Sequence, residues 1–328
     1  MKRTIFLGAM IALFVFWSGK SGNNSHSFSD GKYTVNYETK DGMFDGYYIS
    51  YYRNGIKKAE GNFVANQRYG KWKVWDSITG KLLVVREYKN GYEFKQIFPN
   101  ENKNEKDPKP ILTRNEIGIY PYEGIAEKDV VYLKRTWRFI SRIESSPIFK
   151  DNIFFYALLD AVVSGKIQAY GTADDEFRTK LGKDEITRFS DTLRTKIIGY
   201  KIKEDFFFDS KRRTSEKRIV GICPVMQSAF NEKDSVDVCW FYFPEIRNIM
   251  NAIKVEYSNC SLNVKTLDDL FFFHCFPSVI YKESNVKDLE LKDYFEMNDL
   301  HYQEKLAKMQ LQIEIELIET EHDLWIQF

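Results

Sequence analysis

Residues Gly46-Tyr-Tyr-Ile-Ser-Tyr-Tyr-Arg-Asn-Gly55 align with Gly70-Lys-Trp-Lys-Val-Trp-Asp-Ser-Ile-Thr-Gly80, and the two copies begin 24 positions apart. The halves that follow also match, Ile56-Lys-Lys-Ala-Glu-Gly-Asn-Phe63 against Lys81-Leu-Leu-Val-Val-Arg-Glu-Tyr88, and a third unit opens at Asn90-Gly91. Asn54-Gly55 and Thr79-Gly80 provide tight turns, because Asn and Gly tolerate positive φ. Tyr48, Tyr51, Trp72 and Trp75 alternate with polar residues, as half-buried strands require. One hairpin cannot bury its own apolar face, so successive hairpins must stack. The repeat therefore predicts an antiparallel β-hairpin module over residues 23–98. Its aromatics read as a stacking core or as a binding face.

Upstream, Lys2 and Arg3 precede an uncharged apolar run from Ile5 to Trp17, with small residues at Ser18, Gly19, Ser21 and Gly22. A membrane-spanning helix needs about 20 apolar residues, so residues 1–22 read as a secretory signal peptide rather than an anchor. The first cysteine is Cys223, which argues against a lipid attached near the N-terminus. Downstream, the polar, proline-punctuated stretch from Pro99 to Pro110 has no periodicity and reads as a linker over residues 99–118. The net charge of the 328-residue chain is +1, which argues against nucleic acid as a partner.

Residues 119–328 form a second domain. The spacing of Val130, Leu133, Trp137 and Ile140 predicts a helix over 127–144. Further helices are expected over 149–164, with Gly165 ending it, and over 184–197, 244–252 and 266–274. A last helix is expected from Asn298, with Leu306, Met309, Ile313 and Leu317 on one seam. Ile167 to Tyr170 reads as a short strand. Ile198 begins a strand that leads into an acidic-aromatic loop ending at Asp209, with Lys211-Arg212-Arg213 as a tip and Ser215 to Ile222 returning. Val236 to Phe243 is a further strand. Tyr281-Lys-Glu-Ser-Asn285 reads as a polar turn, and Glu321-His-Asp-Leu-Trp325 as an acidic tail. Helices and strands mix without regular βαβ alternation, so the fold class is α+β: a β-hairpin repeat module followed by a mixed α+β domain.

The repeats resemble the MORN-like repeats of the YwqK-type antitoxin components. The second domain resembles the GldN/PorN family, periplasmic parts of the type IX secretion and gliding apparatus. That resemblance rests on Lys203-Glu-Asp-Phe-Phe-Phe-Asp209 running on to Arg218-Ile-Val-Gly-Ile-Cys-Pro224, on Tyr281-Lys-Glu-Ser-Asn-Val286, on Glu321-His-Asp-Leu-Trp325, and on Lys134-Arg-Thr-Trp-Arg138. It covers residues 119–328 and does not include a repeat module. The resemblance implies a structural role without catalytic residues or a cofactor. The implied partners are a GldK/PorK-like lipoprotein and a GldM/PorM-like inner-membrane protein. It further implies a homo-oligomeric ring on the inner face of the outer membrane.

The residues themselves permit an enzyme reading and an interaction reading. Glu204, Asp205 and Asp209 are the best carboxylate cluster, but local ion pairing with the nearby basic tip explains them without chemistry. His274, His301 and His322 lack metal-ligand spacing. Cys223, Cys239, Cys260 and Cys275 allow three disulfide pairings, or are small buried apolar residues. The candidate partner-binding residues are Glu204, Asp205, Phe206, Phe207, Phe208, Asp209, Tyr281, Lys282, Glu283, Ser284, Asn285, His322, Asp323, Leu324 and Trp325. Among them, any phenylalanine of 206–208 that faces solvent is a candidate anchor. A different class of function puts the repeats first, binding a toxin, a glycan or a cell-wall fragment, with the second domain as a tether.

Overall fold

The computed structural model describes residues 23–89, 91–99, 112–189, 196–228, 234–257 and 264–327. The signal-peptide reading of residues 1–22, most of the linker, and Cys260 lie outside these. Residues 24–97 build seven consecutive strands, of which the third to the sixth carry the two repeat copies: β1 (Asn24–Ser29), β2 (Tyr33–Lys40), β3 (Met43–Tyr52), β4 (Lys57–Val64), β5 (Gln67–Trp75), β6 (Leu82–Lys89) and β7 (Tyr92–Ile97). Each pairs antiparallel with the next, giving one sheet in sequence order. Gly55 and Gly80 close two of its turns at φ 80° and 65°.

Tyr48 and Trp72, equivalent positions of the repeat, are both fully buried, with ring centroids 5.6 Å apart. A repeated irregularity accompanies them. The β3–β4 register steps from Ser50↔Ala59 to Tyr51↔Lys57, and the β5–β6 register from Val74↔Val84 to Trp75↔Leu82. Lys58 and Leu83 are therefore bulged at equivalent places, and a bulge re-aims its side chain.

The second domain also forms a seven-stranded sheet. Its strands are β8 (Val130–Ser141), β9 (Ala169–Tyr170), β10 (Ile197–Asp209), β11 (Thr214–Gln227), β12 (Ser235–Asp237), β13 (Trp240–Tyr242) and β14 (Val279–Glu283). The order is β14-β8-β10-β11-β13-β9, with β12 beside β11. The helices α1 (Ile153–Val163), α3 (Phe243–Ala252) and α4 (Leu267–Phe272) cover one face; α2 (Lys183–Thr187) is short. Phe154, Phe155, Leu158, Phe243 and Phe271 pack there against Ile140, Tyr200, Ile202 and Ile222. Gly165 follows α1 at φ 74°, where a left-handed residue ends a helix.

The closing element is α5 (Tyr302–Gln327), a 26-residue helix between the two sheets. Ile313 and Leu317 face the second sheet, with Phe206, Ile280 and Leu291. Ile315, Ile318, Leu324 and Trp325 enter the core of the first sheet, with Tyr48, Phe63, Trp72 and Val84.

Six sequence expectations change. The strand expected over Val236 to Phe243 is split into β12 and β13, and Phe243 already begins α3. Residues 130–141 are a strand rather than a helix. Their apolar positions satisfy both periods, and pairing with β10 on one side and β14 on the other decides in favour of the strand. The acidic-aromatic segment is the end of β10 rather than a loop; the Lys211–Arg213 tip and the returning strand stand as expected. The helix expected over 184–197 is described only as α2, and Ile197 already pairs in β10. Tyr281 to Glu283 belong to β14, and the expected acidic tail is the last turns of α5.

A methyl group on Gly61 would lie 2.2 Å from the Trp72 ring. Gly61→Ala is therefore expected to overpack the first sheet and cost about 1–3 kcal/mol. Urea denaturation checks this, and an unchanged midpoint would contradict the packing.

Candidate functional site

The first sheet turns aromatic and basic side chains toward α5, and α5 answers with carboxylates. Lys58 is fully buried and pairs with Glu319 at 3.1 Å and Asp323 at 2.8 Å. Arg68 pairs with Glu321 at 2.7 Å. The Tyr48 hydroxyl donates to Glu319 Oε1 at 2.6 Å, and that of Tyr33 to Asp323 at 3.4 Å. The Arg68 and Arg86 guanidinium groups lie 4.7 and 4.5 Å from the Trp325 ring centroid. A buried ion costs several kcal/mol to desolvate, so these pairs hold the halves in register by leaving each charge no equivalent partner elsewhere.

Residues 315, 318, 322 and 325 follow helical spacing and so share one face. His322 stands at its centre, fully buried against Tyr48, Trp72 and Trp325. Its Nε2 lies 3.2 Å from Arg68 Nη1, and its Nδ1 lies 3.2 Å from Glu319 Oε1. Arginine has no acceptor, so Nε2 accepts, Nδ1–H donates, and the ring is neutral. Burial is the main cause lowering the His322 pKa; Glu319 opposes it, and Arg68 and Lys58 reinforce it. Burial alone would raise Glu319, but His322 and Lys58 hold it down to about 2. Burial also works against the Lys58 charge, and Glu319 and Asp323 more than offset it.

The acidic-aromatic motif is internal. Glu204 is fully buried, bonded to Arg138, to His274 at 3.1 Å and to Thr136 at 3.1 Å. Asp205 takes a bidentate pair from Arg135 at 2.7 and 2.8 Å. Asp209 accepts from the Arg212 backbone and side chain at 2.8 and 2.7 Å. Each carboxylate thus has its own arginine, but only Asp209 finds it in the basic tip; Glu204 and Asp205 take theirs from β8. Phe206, Phe207 and Phe208 are 2, 4 and 0% exposed, so none faces solvent as an anchor. Phe206 packs under α5, Phe208 joins the first sheet's core, and Phe207 lies beneath Arg218, 5.2 Å from its guanidinium.

The other candidates divide. Tyr281 is buried beside Lys201, whose amine is 5.4 Å from the ring. Lys282 pairs with Asp288 at 2.6 Å, and Glu283 with Lys134 at 2.5 Å. Ser284 is exposed, and Asn285 closes the loop through Leu289 N–H at 2.9 Å. Leu324 and Trp325 are buried, and Asp323 keeps one side in solvent. The sequence reading missed Lys58, Arg68, Arg86 and Glu319. No local pattern marks them: Lys58, Arg68 and Arg86 read as ordinary strand charges and Glu319 as an ordinary helix charge. Cys223, Cys239 and Cys275 are unbridged and buried.

Away from α5 the halves meet at hairpin ends. Asn66 Nδ2 donates to the His274 and Phe276 carbonyls at 3.3 and 3.2 Å, and Gln67 to that of Phe273. Between these contacts and α5 runs a cleft of about 1660 Å³, lined by Phe44, Phe63, Phe206, Phe276, Leu306 and Ile318 among others. Among the described residues, no helix is long and apolar enough to cross a membrane.

The family described as "Gliding motility associated protein GldN" matches residues 125–326, more than half of the chain. No curated protein matches it. The match includes α5 and stops short of the sheet that covers it.

Two outcomes follow from the site. Lys58→Met leaves Glu319 buried without its cation and is expected to cost about 3–5 kcal/mol in urea denaturation; a change below about 1 kcal/mol would contradict the pairing. His322 and Glu319 both have lowered pKa values when folded. Their contribution is complete above the unfolded values and is lost as pH falls, first for His322 below about 6.5 and then for Glu319 from about 4.5 toward 2. The urea midpoint is therefore expected to drop between about pH 7.5 and pH 5, and His322→Gln to flatten that drop. An equally steep drop in His322→Gln would remove His322 as its source.

Proposed function

We propose that this chain, which belongs to the GldN family, is a non-enzymatic component of a gliding-motility and type IX secretion apparatus, working in the periplasm against the inner face of the outer membrane. The family match over residues 125–326 carries the reading. The internal ion pairs support it: Glu204, Asp205 and Asp209 each hold an arginine in place, which suits a scaffold better than acid–base chemistry. The basic start and apolar run of residues 1–22 support export. The proposed partners are a GldK/PorK-like lipoprotein and a GldM/PorM-like inner-membrane protein, with the chain itself in a homo-oligomeric ring. The N-terminal hairpins are proposed to be MORN-like.

One observation favours a second reading. Tyr47, Asn62 and Tyr69 form a cross-strand row on the first sheet, with the two tyrosines 41 and 49% exposed. An exposed aromatic row of this kind suits a toxin, glycan or cell-wall ligand, with the family domain as tether.

Affinity purification of the tagged full-length chain from solubilised envelopes tests both readings. The lipoprotein is expected to co-purify with the native chain and with Tyr47→Ala/Tyr69→Ala alike. If no lipoprotein is recovered and another envelope component is lost on removing the tyrosines, the second reading replaces the first.

A further inference from the structure

We infer that the first half of β8, from Val130 to Lys134, is an open strand edge that takes an extended, uncharged segment of a partner protein in line with β14. The inference rests on the assembly reading above and names the surface through which this chain meets its lipoprotein.

The backbone is the first ground. On one side of β8, β10 pairs along its whole length, from Val130 to Ser141. On the other side β14 pairs only with Thr136 to Phe139, and Ser284 N–H adds one bond to the Arg135 carbonyl at 3.0 Å. There the chain turns away, and Asn285 closes its loop through Leu289 N–H. Backbone groups two residues apart on an antiparallel strand point to the same side. The Leu133 N–H and C=O therefore face the way the Arg135 carbonyl does, and among the described residues no strand lies against them. An open edge of this kind is a template for another strand.

The side chains are the second ground. Val131 and Leu133 are 43 and 60% exposed, and Val286, two residues past the bonded Ser284, is fully exposed. Phe207, opposite Leu133 on β10, is covered by Arg218, so the apolar row of this face ends in a leucine left bare. Grouped apolar side chains in water mark an interaction site. Charge is the third ground and decides the occupant. The ions beside the edge are matched already: Lys134 with Glu283 at 2.5 Å, Arg135 with Asp205 at 2.7 Å, Lys282 with Asp288 at 2.6 Å. A partner is left backbone and apolar surface, and a charge on it would lose water for no counter-charge. The segment that fits is thus extended, apolar and uncharged. The place is the fourth ground: Lys134–Arg138 and Tyr281–Val286, two motifs of the resemblance, meet here, inside the matched residues 125–326.

The test places a charge on the edge of the tagged full-length chain. Leu133→Lys and Val286→Lys, both at exposed positions, are expected to keep the native urea midpoint and to lower lipoprotein recovery from solubilised envelopes about tenfold. Ile78→Lys, a like change at an exposed turn of the first sheet, is expected to recover it in full. Full recovery with both edge variants overturns the inference and leaves the proposed function standing; no recovery with the native chain overturns both. Amide exchange in the purified complex separates strand pairing from side-chain contact alone. The Leu133 N–H is expected to slow about tenfold or more on lipoprotein binding. An unchanged rate with lipoprotein bound overturns the inference. Slowing in the chain alone as its concentration rises does so too, by naming a second copy as the occupant.

Discussion

The buried contact of Lys58 with Glu319 is the constraint on which the rest of the chain turns. An ammonium without water needs an anion, and the two within reach, Glu319 and Asp323, come from a helix more than 260 residues later, with the Lys58 amine also 3.2 Å from the Glu319 carbonyl. A meandering sheet of seven strands has a face that its own strands cannot cover. The bulge at Lys58 aims a charge into that face, and α5 brings both the apolar cover and the counter-charge. The opposite stripe of the same helix lies on the second sheet through Ile313 and Leu317. One helix therefore serves two cores, and the repeat module and the family domain share a wall.

This arrangement alters what the motifs mean. Glu321 to Trp325 looks like a surface signature when read as text, yet here it is the inner lining of a joint. The acidic-aromatic segment likewise faces inward, with Arg138 reaching Glu204 on one side and Glu314 on α5, at 2.7 Å, on the other. The outward-facing parts are plainer: the row of Tyr47, Asn62 and Tyr69, the Ser284 loop, and one side of Asp323.

Much of the fold was legible because local rules governed it. The repeat announced its strands through turn glycines and alternating aromatics, α1 ends at the Gly165 read as its stop, and α3 and α4 stand where helices were expected. The misread stretches are those where distant pairing decides. Residues 130–141 carry apolar positions that suit either period, and only strands β10 and β14, contributed by later residues, choose between them. Of the β10 carboxylates only Asp209 pairs with the neighbouring basic tip, through Arg212; Glu204 and Asp205 take Arg138 and Arg135 from β8, partners that no local pattern in the sequence names. The joint itself was not legible. Lys58 and Arg68 look like ordinary strand charges until the helix that neutralises them is in place, and no short-range pattern connects positions 58 and 319.

The first sheet precedes in the chain the helix that completes it. Tyr48 and Glu319 are 271 positions apart, and contacts of such separation form slowly because the intervening chain must be ordered first. Until α5 has been synthesised, the first sheet has neither its apolar cover nor the partners of Lys58. It becomes a finished surface only when the final turns of α5 arrive. A chain cut before α5 therefore keeps an open apolar sheet face, the kind of exposed surface that favours aggregation.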